Sequence, residues 1–144
     1  MKLSVLIARL REECPSFVNR VGGVGDLAAA LEQGGAVATP HAFVVRLAED
    51  IQPSVTAGSG AGAVTQPSEE FFGVVVCVAN GADGRGLEAD DTLDDLRSEL
   101  LAALKGWAPD AAHGPLEYRG FETLDMTRAR LWRRFDFSSL LGDV

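Results

Sequence analysis

The sequence predicts an α+β fold, a small and mainly antiparallel sheet of about four strands with helices packed against it. Two observations carry this expectation. Apolar residues recur at helical or strand spacing in the order helix, helix, strand, long loop, strand, helix, strand, strand. The strands also gather into hairpin-like neighbours, whereas a doubly wound sheet needs strands that alternate with crossover helices. At 144 residues and 15.2 kDa the chain has room for one domain, spanning 1–144.

Leu3, Leu6, Ile7 and Leu10 fall on one helical face, with Lys2, Arg9, Glu12 and Glu13 mostly on the other. Pro15 disfavours helix for Cys14, so the first helix spans about Lys2 to Glu13. Asp26 is placed to cap a short second helix carrying Leu27, Ala30 and Leu31, which Gly34 and Gly35 end. From Ala42 to Ala48 the residues alternate, Phe43, Val45 and Leu47 on one side and Arg46 on the other, which is a strand pattern.

Glu49 to Ser68 shows no periodicity and is rich in Gly, Ala, Ser and Val, so a flexible loop is expected at about 50–68. Its apolar surface is too small to offset ordering entropy, and Ile51 to Gln66 is expected to be mobile in a free subunit. Phe71 to Ala79 is apolar on both faces and reads as a central strand covered on both sides, with Gly73 marking a bulge. Asp91 is placed to cap a helix with Leu93, Leu96, Leu100, Ala103 and Leu104 on one stripe, ended by Gly106. Residues 115–137 read as two strands around a turn near Asp125 to Arg128. The expected core is Leu6, Leu10, Phe43, Val45, Phe72, Val74, Val76, Leu96, Leu100 and Leu104.

The 47% apolar and 24% charged composition is that of a globular protein and excludes disorder throughout. A net charge of −8 argues against sequence-specific nucleic-acid binding and against an anionic membrane surface as partner. The apolar stretch near the start runs only from Leu3 to Ala8 and is broken by Arg9 and Arg11, which is not a signal peptide. Cys14 and Cys77 have no CxxC spacing, and two Cys with two His form no zinc pattern. A reducing cytoplasm, no metal and no cofactor are the expectation.

Gly23 to Ala28 matches G-x-G-x-x-A, yet the dinucleotide fingerprint needs a buried strand before it and a long helix after it. Neither is present in the residues, and a glycine turn feeding a capped helix is the reading. The stretch from Asn80 to Asp91 has oxygen ligands but not the order of a calcium loop, and reads as a strand-to-helix connection. His41 and His113 have no Ser or Cys in a nucleophile-elbow context. No catalytic constellation is visible, and the chain is not expected to be an enzyme.

One feature stands out, and it is electrostatic. From Asp83 to Glu99 seven acids face two arginines, a net of −5, and from Arg119 to Arg134 five arginines face two acids, a net of +3. One reading is two solvated faces; the other is that opposite patches on one small subunit favour head-to-tail self-association, and such contacts close into rings when the rotation permits. The expected interface sets Asp90, Asp91, Asp94 and Asp95 against Arg128, Arg130, Arg133 and Arg134 of the next copy, with Trp132 as an apolar anchor.

Several segments carry a resemblance. They are I-A-R-L-R near the start, V-G-G-V-G-D-L-A-A-A-L at 21–31, A-F-V-V-R-L-A-E at 42–49 and F-F-G-V-V-V-C-V-A-N-G-A-D-G-R-G at 71–86. The helix end A-L-x-G-W-x-P at 103–109 and the closing P-L-E-Y-R-G and L-W-R-R-F-D-F belong with them. Together they resemble the tail terminator proteins of tailed bacteriophages and prophages, nearly along the whole chain. The resemblance implies a virion structural protein that works as a ring, typically a hexamer. It implies a ring that caps the head-proximal end of the tail tube, halts its polymerisation and presents a surface to the head–tail connector protein. Its partners would be itself and the tail tube protein, and its place the virion tail after assembly in the host cytoplasm. The residues also leave open a head–tail connector or tail-completion subunit. In another class, a small cytosolic ligand-binding α+β domain would use the Gly23–Ala28 turn or the Asp83–Asp91 loop.

Overall fold

The computed structural model describes residues 1–54, 64–81 and 86–144. Among them run α1 (Leu3–Glu13), β1 (Val21–Gly22), α2 (Val24–Glu32), β2 (His41–Ile51), β3 (Ser68–Ala79), α3 (Leu87–Leu104), β4 (Glu117–Met126) and β5 (Arg130–Leu141), with one 3₁₀ turn at Pro15–Phe17. The sheet order is β1-β2-β3-β5-β4; β1 is parallel to β2 and every other neighbouring pair is antiparallel. The α+β class and the mainly antiparallel sheet are as expected, and the sheet has five strands, β1 being the one beyond the expected four. The extra strand, β1, is only two residues long, too short for any alternation to show. It is set by side chains: Arg11 donates from Nε and Nη2 to the Val21 carbonyl at 3.1 and 2.7 Å, and Arg20 donates to the Pro40 and Thr39 carbonyls at 2.9 and 3.0 Å.

α1 and α3 cover one face of the sheet, where Leu6, Leu10, Leu93, Leu96, Leu100 and Leu104 meet Phe72, Val74, Val76, Phe135 and Phe137. Fully burying each such side chain contributes roughly 1.5–3 kcal/mol. α2 covers part of the opposite face, with Ala30 against Phe43, Val75, Cys77 and Trp132. β3 therefore has both faces covered at its centre, as its unbroken apolar run implies. All of the expected core is buried except Val45, which is half-buried because it lies on the α2 face beyond that short helix. The alternation in β2 misleads for a related reason. Ala42 and Val44 enter the larger core, Phe43 and Val45 the smaller one, and Leu47 sits at a bulge between Arg46 and Ala48.

Both expected aspartate caps are corrected. Gly23 is the N-cap of α2, and Asp26 lies one turn in, its Oδ2 accepting from the Gly23 N–H at 2.9 Å. α3 starts four residues before Asp91, because Gly86 takes left-handed backbone (φ 80°) and its carbonyl accepts from the Asp90 N–H at 2.8 Å. β2 and β3 extend into the expected loop, closing with Gln52 N–H on the Pro67 carbonyl at 2.8 Å. The expected mobility falls mainly on 55–63, outside the described residues.

Gly73 marks no bulge, since β3 and β5 pair without a break from Ser68 to Ala79. A Cβ at Gly73 would sit 2.7 Å from both Cγ and Cδ of Arg134, so the missing side chain is the seat of that arginine. Arg134 in turn holds Asp136 at 2.7 and 3.1 Å and Glu122 at 3.1 Å. Gly73→Val should therefore cost about 1–3 kcal/mol in urea unfolding, the usual range for overpacking. The penalty should shrink when Arg134→Ala is added; an unchanged penalty would mean that the glycine serves the backbone instead.

Candidate interaction surfaces

The helix N-terminus at Gly23 is already occupied by the chain's own carboxylate. A Cβ on Gly22 would lie 2.6 Å from Asp26 Oδ2, so this glycine makes room for Asp26 where a dinucleotide fingerprint makes room for pyrophosphate. The acid-rich connection before α3 falls partly on 82–85, outside the described residues. Among the described residues no group of three His, Cys, Asp or Glu side chains is arranged to hold a metal ion. Both thiols are buried, and burial pushes Cys14 up to about 12 and Cys77 up to about 11, which makes them poor nucleophiles.

The two histidines are structural in their surroundings. His41 stacks on Phe43 with ring centroids 4.4 Å apart, and burial lowers its pKa, which favours the neutral ring. His113 has Glu70 Oε2 at 2.8 Å from Nε2 and Asp110 at 2.8 and 2.9 Å from Nδ1. Glu70 also accepts from the amino group of Met1 at 2.9 and 3.2 Å and lies 3.8 Å from Arg46. Burial alone would raise the Glu70 pKa, but the Met1 ammonium and His113 outweigh it and hold the carboxyl below its ordinary value. The cluster ties the chain start, β2, β3 and the segment before β4 together, with no nucleophile in it.

Part of the charge expected at an interface is spent within the subunit. Asp90 and Arg133 pair within the subunit at 2.9 Å, and that guanidinium also covers the Phe121 ring at 4.6 Å. Arg134 is held by Asp136 and Glu122, and Arg130 donates to the Ala129 and Val37 carbonyls at 3.1 and 3.2 Å. These three arginines are thus engaged in cis, because the strand they share lies beside α3 and β4 rather than at a free surface. Arg128 is exposed in the turn between β4 and β5, and Asp91, Asp94 and Asp95 are exposed on α3. Trp132, expected as an apolar anchor, is 7% exposed and packed on Gly35 and Phe43. Its edge reaches a shallow cleft of about 220 Å³ that Leu27, Leu31, Val75 and Leu124 also line.

Sequence reasoning missed the two ends of the sheet. Among the described residues β4 pairs only with β5, and it exposes Phe121, Leu124 and Met126 by 54, 43 and 57%. At the other end β1 covers only Ala42 and Phe43, so the β2 edge from Val44 to Ile51 is open among the described residues. Unpaired edges of this kind are templates for another strand. The signal was present in the run F-E-T-L-D-M, which places apolar residues on both faces of its strand.

Among the described residues there are ordinary buried cores, no nucleophile built beside a base, and open edges with exposed apolar side chains, which suit a subunit that docks on others. The sequence profile of the phage tail terminator protein family matches residues 1–140. The chain belongs to the phage tail terminator family, whose members are structural, non-catalytic components of phage tails. Comparison with curated proteins returns no match.

Proposed function

We propose that this chain, acting as one domain, forms a closed ring that caps the head-proximal end of the tail tube. The ring stops tube polymerisation and offers its other side to the head–tail connector protein. Its place is the virion tail, after assembly in the host cytoplasm. The observation that supports this reading best is the pair of unlike edges, open among the described residues, on one sheet, β4 at one end and β2 at the other. A contact between two different patches is heterologous, so it repeats in one direction and closes when the rotation allows. The hexameric number comes from the resemblance alone.

Light scattering on the purified chain, alone and with the cognate tube protein, tests this. A ring gives a mass about six times the 15.2 kDa of the chain, in one or both conditions. A two-fold dimer as the terminal species would overturn it.

A further inference from the structure

We infer that the ring contact sets β4 of one copy antiparallel beside the open edge of β2 in the next, with the acidic first half of α3 facing the next copy's Arg11–Arg20 cleft. The inference rests on the ring reading and names the surfaces that make it. Within one subunit β2 and β5 run the same way and β4 runs opposite to both. Subunits around a ring share one sense along its axis, so strands lying along that axis bring β4 to the neighbour's β2 in antiparallel order. The edge from Val44 to Ile51, with side chains exposed from Arg46 onward, offers the unpaired N–H and C=O groups that β4 also carries.

Charge complementarity selects a second copy as the occupant. Val21, Ala42, Val76, Arg133 and Thr123 lie on one row across the sheet, from β1 at one end to β4 at the other. Asp90 sits over the Arg133 end of that row, in the same helix half as exposed Asp91, Asp94 and Asp95. Arg11 sits at the Val21 end and, with Arg20, lines a cleft of about 370 Å³. Each of these arginines spends Nε and Nη2 on backbone carbonyls of its own chain. Their Nη1 groups have no partner among the described residues, which leaves each a fixed donor for a carboxylate. Lateral repetition of the sheet brings the acidic end of one row to the arginine end of the next.

Ala48 and Glu117 provide the test, because they also lie on one row, through Phe71 and Ser138, at opposite edges of the sheet. Edge pairing brings them across the subunit boundary to within disulfide reach. The native thiols are buried, so Ala48→Cys with Glu117→Cys should yield an oxidised ladder ending at the ring, and each single variant no cross-link. As a second measurement, Asp91→Lys with Asp94→Lys and Asp95→Lys, all on exposed positions, should raise the concentration for half-assembly by about tenfold or more. Rings that give no ladder and keep their half-assembly concentration in the lysine variant overturn the edge pairing and leave the ring standing. A wild-type chain that stays monomeric with and without tube protein overturns both.

Discussion

Replacing Leu100 with alanine should lower the unfolding free energy by about 2–5 kcal/mol, the range for truncating a fully buried leucine. Leu100 has no exposed surface and stands mid-stripe on α3, between the sheet residues below and α1 beside it. Its removal takes away transfer energy and leaves a cavity that the surrounding leucines and phenylalanines fill only in part. Leu101, one residue on, is half-buried and gives an internal comparison, since Leu101→Ala should cost clearly less. Urea unfolding of the two variants measures both. A loss below about half a kilocalorie for Leu100→Ala, the range of surface changes, would mean that α3 does not cover the sheet.

Glu70→Gln should cost about 3 kcal/mol, because removing one member of a buried ionic cluster strands the others. Glu70 is 8% exposed, and its carboxylate faces the Met1 ammonium and His113. Asp110→Asn should cost less, since that carboxylate is open to solvent on one side. The sign of the pH dependence follows from the shifts. Glu70 is held below its ordinary 4.5, the Met1 ammonium and His113 overcoming burial. Asp110 is held below its ordinary 3.8 by its bonds to His113. The stabilisation is thus complete above the ordinary carboxylate values and fades as the pH falls through the lower values of the folded protein. Wild type should lose more stability than Glu70→Gln between pH 5 and pH 2.5. Parallel stability curves over that interval would remove the charge from the explanation.

The helical stripes and the central strand were legible because their period is long and their burial one-sided or complete. Leu93, Leu96, Leu100, Ala103 and Leu104 all land in the core, and Phe71 to Ala79 lies within β3. What escaped were features set by a partner distant in sequence. Gly73 is small for the sake of Arg134, sixty-one residues on, and β1 exists through Arg11 and Arg20 rather than through any pattern of its own. The proposed assembly surface was half legible. The acid excess on α3 is exposed as the composition suggests, but sequence neighbours cannot show that Arg133 and Arg134 are satisfied within their own sheet. Nor can they show which strands end up at the edges, because edge position follows from the order β1-β2-β3-β5-β4.

The cap itself is tested most directly by letting the cognate tube protein polymerise in the presence and absence of this chain, and viewing the tubes by negative-stain electron microscopy. Capping predicts that tubes stop growing once the chain is added, with ring-shaped density at one end of each tube. Tubes that keep growing at the same rate, with no density at either end, would contradict it.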